Sequence, residues 1–289
     1  MQVIENYFLL VEINPKGAEL KRIYHKKTNL EYLWNADPSI WAKSSPVLFP
    51  IVGTLKENKM LYHGKVYEMG RHGFARDREF AVERSAAKMI TFLLHSDEST
   101  LEKFPFPFEF RITYQLVDDT LQTTYTVINP AAASMLFSVG AHPAFRIPLT
   151  PGEQYTDYEL VFEKQEHAGR WMISPEGLIG EHAVPLLDNT NTLPLTHELF
   201  YKDAVVLKDL HSRSVRLKSK TSPHGLKFDF PSFPFLGIWS AKDADFVCIE
   251  PWCGIADSVN ATQLLEDKEG IESLPAGETF TRTWSARFY

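Results

Sequence analysis

Residues 108–129 read FEFRITYQLVDDTLQTTYTVIN. Ile112, Tyr114 and Leu116 occupy every second position before Asp118-Asp119, and Leu121, Thr123, Tyr125 and Val127 do the same after it. A period of two sends alternate side chains to opposite faces of an extended chain, and a polar pair between two such runs marks a turn. The segment predicts an antiparallel hairpin with one buried face. The same pattern extends outward from it. In MLYHGKVYEM (60–69) two short apolar runs flank His63-Gly64-Lys65, where Gly64 can take positive φ at little steric cost. Further strands are predicted at 158–163, 204–208, 213–218, 235–240, 245–250 and 278–289. The best helical window is SVNATQLLEDKEG (258–270), opened by Ser258 or Asn260 as a cap. FPFPFEF (104–110) and FPSFPF (230–235) carry prolines typical of linkers, but their phenylalanines predict buried corners of a sheet. The expected architecture is all-β: one large antiparallel β-sandwich domain spanning 1–289.

Composition points the same way. With 15 Gly, 18 Pro and 13% aromatic residues, the chain suits strands joined by tight turns better than a helix bundle. Its 289 residues are 44% hydrophobic, enough for a large core, and its formal charge of −7 argues against nucleic acid or an anionic membrane as the main partner. Neither a GxGxxG nor a GxxxxGK[ST] pattern occurs, which argues against nucleotide binding through those loops. The opening MQVIENYFLLVEINPKG has no cationic region, and no run approaches the roughly 18 apolar residues of a membrane span. A cytoplasmic protein, monomeric or homodimeric, is the expectation. The two cysteines, Cys248 and Cys253, are expected as free buried thiols, because one pair makes neither a disulfide framework nor a structural zinc site.

Three segments set a titratable residue beside turn formers: Arg71-His-Gly-Phe-Ala-Arg76, Gly140-Ala-His-Pro-Ala-Phe145, and Cys248-Ile-Glu-Pro-Trp-Cys-Gly-Ile-Ala-Asp257. Pro143 biases His142 away from helical backbone and fits an imidazole displayed at a strand end. Glu250, followed by Pro251, is expected at the lip of a sheet rather than mid-strand. Each residue alone fits an ordinary loop or core role as well as a catalytic one. His25, His95, His167, His211 and His224 lie in polar or turn-like contexts and read as surface residues.

Taken together and in this order, His72-Gly73, His142-Pro143-Ala144-Phe145, and Glu250-Pro251 with Ala256-Asp257 and Asn260 resemble the motifs of the aldose 1-epimerase (mutarotase) family. SSPVLFPIVGTLK (44–56), HGFAR and AHPAF are most similar to its LacX-type branch. The resemblance implies a galactose mutarotase-like supersandwich and an isomerase that interconverts the anomers of a hexose without metal or other cofactor. It implies Glu250 as catalytic base and His142 as acid, His72 and Asp203 as sugar-binding residues, and a small-molecule sugar as the only partner. The family's sugar-binding Arg has no clear counterpart around Gly53-Thr54-Leu55-Lys56, so Arg76 or Lys56 is expected to replace it. Lys43, before Ser44-Ser45-Pro46, is the position that would meet a sugar phosphate, although a solvated surface lysine reads as well there. Phe74 and Phe145 read as core or as an apolar wall for a pyranose, with core favoured for Phe74; Trp252 fits both roles equally. The rival functions are a non-catalytic carbohydrate-binding or sensing protein and a hexose-6-phosphate mutarotase.

Overall fold

The computed structural model describes residues 1–289. The hairpin at 108–129 forms as its pattern predicts, from strands Glu109–Val117 and Thr120–Ile128 with Asp118 at φ +50° in the turn. In register, Phe110 faces Val127, Ile112 faces Tyr125, Tyr114 faces Thr123 and Leu116 faces Leu121, and all eight are buried. This hairpin sits inside a 14-stranded sheet rather than at an edge. Beyond it the order runs through Thr279–Phe288, Gly225–Asp229, Ser214–Ser219, Tyr158–Ile173, Val205–Leu207, Phe235–Trp239 and Phe246–Cys253 to the short Val139–Gly140 and Ala144–Arg146. On the other side come Met89–His95 and Ala81–Ala86, and Ile179–Pro194 pairs with Tyr158–Ile173 off this path. Every pairing between these strands is antiparallel.

A separate four-stranded sheet, Gln2–Glu5, Leu9–Asn14, Glu19–His25 and Leu30–Glu31, packs its apolar face into the same core. That core is a cluster of 68 buried residues and joins Ile4, Leu9, Val11 and Ile13 to Phe110, Ile112, Trp284 and Phe288. Sheet against sheet is the arrangement in which two half-apolar surfaces remove each other from water. FPFPFEF lies in this core: Phe104, Phe106, Phe108 and Phe110 are all buried, and Phe49 stacks on Phe110 with ring centroids 4.4 Å apart.

Four local expectations need correction. Residues 258–270 hold only a short 3-10 turn, Leu265–Asp267, because tertiary bonds outcompete the helix: Val259 N–H donates to Ile179 O, and the Lys268 ammonium is buried against Asp257 and Ile255 O. Ser258 Oγ accepts from the Asn260 N–H at 3.2 Å in a local turn, so it caps no helix. The strand predicted at 158–163 continues to Ile173, and bulges between Val161 and Glu166 break the alternation where the sequence pattern stops. Finally, His25 is buried, its Nδ1 2.9 Å from Thr28 Oγ1, because alternation in Glu19–His25 turns it inward beside Tyr32.

Candidate active site

Glu250 lies in mid-strand and not at the lip of the sheet, since Phe246–Cys253 continues through Pro251. Gly237 of Phe235–Trp239 pairs with it on one side. On the other side, Gly140 opposite Trp252 and Ala144 opposite Cys248 belong to one unbroken register, which sets His142 directly across from Glu250. The two neighbouring pairs are the hydrogen-bonded ones, and each keeps a single bond: Ala141 N–H donates to Pro251 O at 3.1 Å, and Ile249 N–H donates to Pro143 O at 3.3 Å. Pro251 and Pro143 have no N–H to return. His142 and Glu250 therefore form a non-hydrogen-bonded antiparallel pair, the geometry that brings opposing side chains closest together. His142 Nε2 stands 3.3 Å from Glu250 Oε2. Local rules of strand pairing thus unite two residues 108 positions apart in the chain.

Both groups are buried, Glu250 almost completely. Burial raises the Glu250 carboxyl well above its ordinary value, with Arg71 opposing, and lowers the His142 imidazole to about 3, with Arg71 adding to the effect. In contact, and with both charged forms penalised, the two groups act as one unit that holds a single proton. Trp252 Nε1 lies close enough to favour the ionised carboxylate but makes no hydrogen bond of normal geometry. Its indole lies flat across Gly237, where a Cβ would stand 2.3 Å from Cζ2 of the ring.

The pair opens into a cavity of about 270 Å³ lined also by Arg71, His72, Arg76, Asp203, Trp41, Trp239 and Trp252. His72 reaches it from a left-handed turn at φ +69°. Its backbone N–H donates to Gly53 O at 2.8 Å, and its Nδ1 accepts from Gly53 N–H at 3.0 Å. An accepting Nδ1 places the proton of the neutral ring on Nε2. Burial first, then Arg71 and His142, push His72 well below its ordinary pKa, so it is a fixed neutral donor. Gly53 itself has φ +74°, and a Cβ there would meet Ala256 Cβ at 2.4 Å.

Asp203 also lines the cavity, 3.6 Å from Arg71 Nη2. Beneath it the buried guanidinium of Arg170 donates to the carbonyls of Leu199, Lys202, Asp203 and Ala204, which shapes the turn that presents Asp203. Arg76 also lines the cavity, and its Nη2 donates to Arg71 O at 2.8 Å, bracing the turn from which Arg71 projects. The five residues singled out from the sequence, Glu250, His142, His72, Asp203 and Arg76, all line this one cavity. Lys56 and Lys43 do not. Lys56 Nζ reaches Ala261 O, and Lys43 Nζ faces Asp77 at 3.4 Å. Phe74 and Phe145 are core residues, and Trp252 is buried and lines the cavity at once.

Sequence reasoning missed Arg71, Trp41, Trp239 and Arg170. Arg71 had a signal, since it immediately precedes His72-Gly73 on the same turn. Trp41 had none: it stacks on His142 with ring centroids 5.1 Å apart because the segment around it pairs with the far side of the His142 strand. Trp34 N–H donates to Ala144 O, Ala144 N–H donates to Ser44 O, and Leu48 exchanges two bonds with Gly140, so residues 35–43 arch over the imidazole.

Similarity to known proteins agrees with this architecture. A family model described as aldose 1-epimerase matches residues 1–266. The chromosomal protein LacX of Lactococcus lactis subsp. lactis is 36% identical over 290 residues, covering 97% of each chain. Among solved structures, a galactose mutarotase related enzyme from Lactobacillus acidophilus superposes with a TM-score of 0.93 at 35% identity, over 100% of this chain and 97% of that one. A galactose mutarotase-like protein from Lactobacillus casei ATCC 334 gives 0.92 at 33% identity, with full coverage of both chains, 100% and 100%. With the family model covering most of the sequence and the whole fold shared with these relatives, the chain belongs to the aldose 1-epimerase family.

Proposed function

We propose that the protein is an aldose 1-epimerase that interconverts the α and β anomers of a hexose through its open-chain aldehyde. Glu250 takes the proton from O1 while His142 gives one to the ring oxygen; the C1–O5 bond breaks and C1 becomes a carbonyl. Rotation about C1–C2 turns the other carbonyl face toward O5. On closure His142 takes the O5 proton back and Glu250 returns one to O1. Atoms, electrons and protons balance over the cycle.

The observation that carries this reading is the His142–Glu250 contact of 3.3 Å in the wall of the cavity. Ring opening needs an acid and a base on two oxygens of one carbon, and facing side chains of adjacent strands meet that requirement. A pair sharing one proton has two arrangements, imidazolium with carboxylate and imidazole with carboxylic acid. Opening runs from the first to the second; burial favours the second before a sugar binds, so the proton passes from Glu250 to His142 before opening. Around them the His72 Nε2–H, Arg71 and Asp203 offer donors and an acceptor for hydroxyls, and Trp239 and Trp252 offer apolar surface for the C–H face of a pyranose.

The test is equilibration of freshly dissolved α-glucose and α-galactose by polarimetry or NMR exchange. Glu250→Gln and His142→Gln each lower the rate by about 10²- to 10⁴-fold, the usual worth of a positioned acid or base. Unchanged rates sink the assignment, and a wild-type protein that binds sugar without accelerating equilibration supports the non-catalytic reading instead. A second reading, a sugar-phosphate mutarotase, draws on Arg71 and Arg76, two guanidinium groups lining a cavity to which Asp203 is the facing carboxylate. Competition between a free hexose and its 6-phosphate, repeated with Arg71→Ala, decides it. Equal competition removes that reading.

A further inference from the structure

Alternation along Phe246–Cys253 puts Cys248 on the same face as Glu250, and it is completely buried. His142 Nε2, Cys248 Sγ and a Glu250 carboxylate oxygen all lie within 4.8 Å of one another. The acid/base cycle uses the imidazole and the carboxylate and leaves the thiol without a task. Imidazole, thiolate and carboxylate are together a zinc donor set, and with bonds of about 2.0–2.3 Å to a tetrahedral ion the donors stand roughly 3.3–3.8 Å apart. The His142 and Glu250 atoms already have that spacing, at 3.3 Å. Cys248 Sγ, up to 4.8 Å away, has to approach by about 1 Å to complete the set.

We propose that His142, Cys248 and Glu250 form a binding site for a single zinc-like divalent transition-metal ion, whose fourth coordination position faces the cavity. Carboxylate and thiolate together neutralise a dication, so the occupied site carries no net charge into an aromatic surround of Trp41, Trp239 and Phe246. The ion takes the place of the proton shared by the pair and of the thiol proton. His142 Nδ1 is buried without a hydrogen-bond partner, so the imidazole lacks the outer anchor that tight zinc sites provide. Binding is therefore reversible and removed by a chelator. Resting on the acid/base reading, the same occupancy blocks anomer interconversion.

The experiment titrates chelator-treated protein with Co²⁺ alone and follows absorbance. One equivalent gives a thiolate-to-cobalt charge-transfer band in the near ultraviolet and the intense visible bands of tetrahedral cobalt. Cys248→Ser and Cys248→Ala abolish the charge-transfer band and weaken binding by more than the roughly 10- to 100-fold that loss of an outer-shell partner produces. Cys253→Ser, at the other buried thiol, retains the band. Circular dichroism confirms that each variant is folded. No band in the wild type, a band that survives in both Cys248 variants, or one lost in Cys253→Ser overturns the proposal. Because the readout is metal alone, absence of mutarotase activity refutes the proposed function without touching this result.

Discussion

Glu250 and His142 make stability depend on pH in both directions. In the unfolded chain, between the ordinary values of 4.5 and 6.5, one proton resides on the histidine and none on the glutamate. The folded pair also holds one, so stability is flat across that window. Below it the unfolded glutamate gains a proton, and the folded pair gains none until about pH 3, so stability falls as pH drops. Above 6.5 the unfolded histidine loses its proton while the raised Glu250 carboxyl keeps one, so stability falls as pH rises. Each limb has a slope of up to about 1.4 kcal/mol per pH unit. The double variant Glu250→Gln/His142→Gln has shallower limbs on both sides, measured by urea unfolding over a pH series. Superimposable profiles would show that the two do not titrate as a coupled buried unit. At the same scale, Gly237→Ala pushes a methyl group into the Trp252 indole, destabilises the fold by about 1–3 kcal/mol and shifts tryptophan fluorescence. These two residue types, a His and a Glu each beside a proline, were visible in the sequence. What was not visible was Cys248 beside them, which reads as any buried small hydrophobe until the strand face is known.

Strand pairing is where the sequence was most and least informative. The hairpins at 60–69 and 108–129 were legible because turn and alternation are both local. The pairing of Ala141–Pro143 with Ile249–Pro251 was not, because no local signal fixes a register between segments a hundred residues apart. Proline even argued for the wrong place: it suggested that the strand ends at Glu250, whereas Pro251 is accommodated by giving up one ladder bond to Ala141. Pro143→Ala tests the same accommodation on the partner strand. The restored N–H faces Ile249 O and gains about 1 kcal/mol, while the looser unfolded chain loses about 0.4–1 kcal/mol. Thermal unfolding is expected to change by less than about 1 kcal/mol, since the two effects offset. A larger loss would show that the proline ring itself holds His142 against Glu250.

The whole molecule is tied together by its last strand. Thr279–Phe288 lies between Thr120–Ile128 and Gly225–Asp229, so the large sheet is closed only when the C-terminal residues arrive. Trp284 on this strand is almost fully buried, stacks on Phe228 at 5.1 Å and donates from Nε1 to Tyr125 OH at 3.1 Å. Trp284→Ala is expected to lower unfolding free energy by about 3–5 kcal/mol. Urea unfolding measures it, and a loss below about 1 kcal/mol would mean that the sheet does not depend on this junction. Composition pointed to such aromatic junctions, with 13% aromatic residues, but could not say which rings meet. The net charge of −7 was equally silent about the cavity, which Arg71 and Arg76 line together with the carboxyl groups of Asp203 and Glu250.

The arch of residues 35–43 has a further consequence. Its two ends are fixed by backbone bonds at Trp34 and Ser44, which any side chain permits, whereas within it Trp41 stacks on His142. The roof of the cavity is thus a separable part. Its length and composition can change without altering the strand register that sets His142 against Glu250.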